Sequence, residues 1–123
     1  MRTNRYQLTR YAIGVFSYSW FSLKHLFFTK EIQKYLTDES LRLFQKVILF
    51  RPESGDLIQG SGGLRKIQWN LPGLGKRGGI RIIYYFDPPE TVYLIFPYRK
   101  SRQEDLTKNQ IKILSQLVEE YLQ

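Results

Sequence analysis

The chain of 123 residues has no cysteine and one histidine, His25. Disulfides, thiolate catalysis and cysteine-based zinc sites are excluded, and a histidine-rich metal site is impossible. A Ser-His catalytic unit would depend on that single ring. Its apolar neighbours make His25 read as a strand residue near the core edge. Acidic residues are missing from two stretches. Residues 1 to 24 carry Arg2, Arg5, Arg10 and Lys24 without one acid. Between Asp56 and Asp87 there is again no carboxylate, yet five cations (Arg65, Lys66, Lys76, Arg77 and Arg81) stand among seven glycines.

Nineteen Lys and Arg against eleven Asp and Glu give a formal charge of +8. That balance suits nucleic acid or an acidic protein partner, and clustering on β-rich segments favours phosphate over mere solubility. A chain of this length forms one domain with a core that needs no staples. The missing cysteines agree with a reducing cytoplasm. A basic start followed by the run Tyr11 to Phe21 has the outline of a secretory signal. It is rich in Ser and Tyr, lacks a small-x-small cleavage site and is too short to span a bilayer, so no membrane association is expected. Residues 1–20 read as a poorly ordered extension in front of a domain over residues 21–123.

The order of elements follows from periodicity and punctuation. A first strand is expected around Ser17 to Leu26, and a short helical spacing at Ile32, Tyr35 and Leu36. Thr37 or Asp38 caps a second helix, whose stripe Leu41, Phe44, Val47 and Ile48 faces a sheet until Pro52 stops it. Strands follow over Leu64 to Trp69, Ile80 to Phe86 and Thr91 to Tyr98, with turns at Glu53–Asp56 and Asp87–Glu90. Alternation puts Lys66 and Gln68 on one face of the first of these, and Arg65, Ile67 and Trp69 on the other. A last helix starts near Thr107 and buries Ile111, Leu114, Leu117 and Val118. The fold class is α+β: an N-terminal strand, two helices, an antiparallel sheet of three to four strands and a C-terminal helix.

Several chemistries fail on detail. Gly73-Leu-Gly-Lys76-Arg77 lacks the first glycine of a P-loop, since Leu71 stands there, and Arg77 replaces the magnesium-binding Ser or Thr. Asp56, Asp87, Glu104 and Asp105 sit in turns, so neither a metal site nor a carboxylate pair is expected. Cation-borne phosphoryl chemistry remains. In RNA cleavage by the 2′-hydroxyl the nucleophile belongs to the substrate. The protein must align it, neutralise the phosphate and handle two protons, which Arg and Lys can do without metal or cofactor.

The segments Gly55 to Trp69, Gly75 to Tyr85, Tyr98-Arg-Lys100 and Asp105-Leu-Thr107 together resemble the HigB branch of the RelE-like toxins of bacterial toxin–antitoxin modules. The likeness runs from about Phe21 to the C-terminus. It implies a helix-backed antiparallel sheet and an endoribonuclease that cuts mRNA in the A site of the ribosome. It also implies silencing by a cognate helix-turn-helix, HigA-like antitoxin. Lys66, Arg81, Lys100 and Gln68 then form the catalytic set, with Arg81 at the phosphate-binding arginine. Arg65, Lys76, Arg77 and Tyr98 would contact RNA, Tyr98 by stacking a base. Gln68 stands where many relatives keep Arg or Lys, and Leu106 lies near the position where some members carry a tyrosine.

Overall fold

A computed structural model of the chain describes residues 7–9, 28, 30–71, 79–88 and 91–121. The expected strand at Ser17 to Leu26 therefore lies outside the described residues, as do His25, Lys76 and Arg77. Helical backbone at residues 30–32 gives way to a turn at 33–35. Thr37 then caps helix α1 (Asp38–Phe50) by accepting a hydrogen bond from the Ser40 amide at 3.1 Å. Asp38 and Glu39 in the first turn suit the positive end of the helix dipole. The Arg51 amide still donates to the Val47 carbonyl, and Pro52 cannot continue the ladder.

The sheet contains β1 (Gln7–Thr9), β2 (Asp56–Leu57), β3 (Leu64–Trp69), β4 (Ile80–Asp87) and β5 (Thr91–Arg99). Their order is β1-β5-β4-β3-β2, with every pairing antiparallel. Helix α2 (Lys108–Tyr121) closes the described chain. The α+β class and the three-strand meander are those expected. Two short edge strands extend the sheet, and one of them, β1, falls within the expected N-terminal extension. Gln7–Thr9 pairs residue for residue with Tyr93 to Thr91.

Each face of the sheet meets its own helix. Toward α1 the core contains Phe44, Ile48, Ile80, Ile82, Tyr84 and Val92, with Phe28, Ile32 and Leu36 from the segment before the helix. Phe44 meets Trp69 edge-on, with ring centroids 5.2 Å apart at 78°. The buried stripe of α1 is Phe44, Gln45, Ile48 and Leu49. Val47, expected inside, is exposed, and Leu41 is only partly covered. The helix is apolar at so many positions that spacing could not say which of two adjacent stripes the sheet would accept. Toward α2 a smaller core joins Leu64, Ile83, Ile95, Leu106 and Val118, with Ile111, Leu114 and Leu117 packed against it as expected.

Glycines at 60, 62 and 63 have φ of +75°, +75° and +111°, which lets the chain reverse between β2 and β3. Buried Ser61 fills the interior of that turn. Its hydroxyl donates to the Ile58 carbonyl and accepts from the Leu64 amide, while Ser115 of α2 donates to the Ser61 carbonyl. This turn thus ties β2, β3 and α2 together.

Candidate functional site

Cross-strand register builds the candidate site. Gln68 of β3 lies opposite Arg81 of β4, which lies opposite Tyr98 of β5, so the three occupy one row across the sheet. Lys66 stands two residues from Gln68 on the same face, beside Ile83. This is the α2 face.

The loop from β5 to α2 brings a carboxylate over the row. Lys66 Nζ donates to Asp105 Oδ1 at 2.6 Å, and Arg81 Nη1 lies 3.7 Å from the same oxygen. The side chain of Asp105 remains 61% exposed, whereas Lys66 and Arg81 retain 27% and 16%. The Lys66 hydrogen bond and then its charge hold the Asp105 carboxyl below its ordinary 3.8, against an opposing effect of desolvation, with the charge of Arg81 the smallest contribution. Arg81 Nε is buried without a hydrogen-bond partner.

A reciprocal cap fixes the height of Asp105. The Gln110 amide donates to Thr107 Oγ1 at 3.1 Å, and the Thr107 amide donates to Gln110 Oε1 at 2.9 Å. Gln103 Nε2 donates to that same Oε1 and to the Asp105 carbonyl. Leu106, next to Asp105, is buried in the α2 core. The loop is therefore pinned on both sides of the carboxylate.

Not every expected residue joins this group. Gln68 turns outward and bonds Asn70 at 3.3 Å. Lys100 sits in the turn after β5, its amide bonded to the Gly79 carbonyl, and the cations that pair with Asp105 among the described residues are Lys66 and Arg81, not Lys100. Arg65 is engaged elsewhere. Its guanidinium donates to the carbonyls of Gly55 at 2.8 Å and Glu53 at 3.2 Å. There it helps Tyr84, which donates to the Pro52 carbonyl and accepts from the Gly55 amide, to staple the turn after α1. Alternation had already put Arg65 on the opposite face from Lys66.

The ring of Tyr98 is buried at 5% exposure and packs near Phe96, so it finishes the core and offers no open face to a base. Burial pushes its hydroxyl above 10.0, partly offset by the charge of Arg81. It is therefore a neutral phenol at physiological pH. Asp105 is the residue that sequence reasoning missed as part of the site. Its signal was present: an acid two residues before the Thr107 cap, in the loop that must cross the basic face.

Among the described residues no group of three or more His, Asp or Glu side chains gathers as metal ligands would. No helix among them is long and apolar enough to cross a membrane. No protein-family model matches the chain.

Proposed function

We propose that the chain is the toxin of a toxin–antitoxin module, a RelE/HigB-like endoribonuclease that cuts mRNA by activating its 2′-hydroxyl. The reading rests most on one observation: an ammonium and a guanidinium from adjacent strands converge on a single carboxylate oxygen. Two donors aimed at one oxyanion also suit a phosphate oxygen, and Asp105 is exposed enough to give way. Arg81 would bear on the non-bridging oxygens as charge develops there. Bond formation from the 2′ oxygen to phosphorus breaks the bond to the 5′ oxygen. This leaves a 2′,3′-cyclic phosphate and a 5′-hydroxyl. The proton of the 2′-hydroxyl passes to water as the 2′ oxygen bonds phosphorus, and Lys66 is the N–H donor at hand for the departing oxygen.

The substrate is mRNA in the A site of the ribosome, the compartment is the cytoplasm, and a helix-turn-helix antitoxin is the partner. Lys66→Ala and Arg81→Ala should each lower cleavage on the order of a hundredfold and relieve growth arrest on induction. Mapping transcript 5′ ends by primer extension reads the loss directly. Toxicity undiminished by both substitutions would remove the assignment. A second reading, a basic binding module of the same fold, is favoured by the close Lys66–Asp105 pair and by the neutral Gln68 beside Arg81. Salt-sensitive RNA binding without new 5′ ends is its signature.

A further inference from the structure

Beside the Lys66–Asp105 pair lies a cleft of about 240 Å³. It is lined by Lys66 and Asp105, by Leu106 and Ile111, and by Ile58 and Gln59. The volume is below the roughly 300–1,000 Å³ of sites for drug-sized ligands and suits a single flat ring. Its apolar residues come from both sides: Ile58 from the β2 end of the sheet, Leu106 and Ile111 from the start of α2. The Gln59 side chain is exposed and makes no hydrogen bond among the described residues. A primary amide both donates and accepts, which is what reading the edge of a base requires.

We infer that this cleft is a nucleobase subsite: it takes the base adjoining the phosphate held by Lys66 and Arg81, and Gln59 reads that base's edge. The inference rests on the nuclease reading, because the occupant is chosen by what the cleft adjoins. A nucleotide joins an anionic group to a flat, largely apolar ring with polar edges. The same features meet at this cleft: a cation, aliphatic side chains and an exposed amide. Unpaired bases in single-stranded RNA are recognised in this way, by contact with the ring and hydrogen bonds at the edge. The occupant is a ribonucleotide, and base selectivity is assigned to the loop before the glycine turn, away from the reacting groups.

Backbone amide shifts of the full chain, titrated with inorganic phosphate and with each of the four ribonucleoside 3′-monophosphates, test this. Phosphate should move Lys66, Arg81 and Asp105. The nucleotides should in addition move Ile58, Gln59 and Ile111, with affinities differing by at least about fivefold among the bases. Gln59→Met, at an exposed position and without change of charge, should level that ranking and leave phosphate affinity unchanged. If nucleotides and phosphate move the same residues, the subsite is refuted while the phosphate site stands. An unchanged ranking in Gln59→Met refutes the role of Gln59. If no ligand moves Lys66, Arg81 or Asp105, the nuclease reading fails, and this inference with it.

Discussion

The two faces of the sheet are built to different ends. The α1 face is dry: Ile80, Ile82, Tyr84 and Val92 meet Phe44 and Ile48, while of its cations Arg65 holds a turn and Arg99 lies over the Tyr35 ring. The α2 face is divided. One part packs Leu64, Ile83 and Val118 under the helix, and the rest carries the row of Gln68 and Arg81 with Lys66 beside it. Because β4 contributes Ile82 and Tyr84 to one face and Arg81 and Ile83 to the other, a single strand serves both. A domain this small keeps a charged surface rigid by putting most of its apolar burial on the reverse side of the same strands.

Four substitutions or titrations sharpen the contrast. Phe44→Ala, on the dry face, should cost about 3–5 kcal/mol in denaturant unfolding, because the void beside Trp69 cannot collapse onto a sheet. Arg81→Ala, on the divided face, should cost cleavage about a hundredfold, while stability changes by only about 1 kcal/mol. Equal losses of stability at the two positions would abolish the distinction. Smaller still, Gln45→Met should stabilise the protein by about 1 kcal/mol, since Gln45 Nε2 is buried in the α1 core without a hydrogen-bond partner. A lower midpoint in urea would show that this amide has an essential contact.

The smallest effect concerns pH. The carboxyl of Asp105 should titrate below 3.8 in the wild type and return toward that value in Lys66→Ala. Since the folded value is the lower one, the ion pair contributes fully above the unfolded carboxyl's range. Its contribution is lost as pH falls through the depressed folded value. Carboxyl-detected NMR on both proteins reads the difference, and identical titrations would mean that Lys66 does not hold Asp105 in solution.

Much of this was legible from residue order. The spans of β3, β4 and β5 follow from β-branched and aromatic runs bounded by glycine and Asp-Pro, and Thr37 and Thr107 announced both helix starts. The separation of Lys66 from Arg65 follows from strand alternation alone. The stripe of α1 was offset because Leu43, Val47 and Phe50 are as apolar as the residues that pack, yet remain exposed. The strand at Gln7–Thr9 was not foreseen because three residues carry too little pattern to stand out; it is made a strand by the free edge of β5. Arg65 and Tyr98 looked like RNA contacts because a cation or a ring in a basic segment has the same signature whether it meets a ligand or its own backbone.

Local chemistry, then, determined the elements, their ends and the excess of positive charge over residues 57–86, since propensity, capping and alternation act over a few neighbouring residues. The meeting of Lys66 with Arg81 under Asp105 required the tertiary structure. These residues are brought together by strand register and by a pinned loop 39 positions away from Lys66 in the chain. Distances of that kind are set by how the sheet and α2 pack, which no short window of sequence encodes.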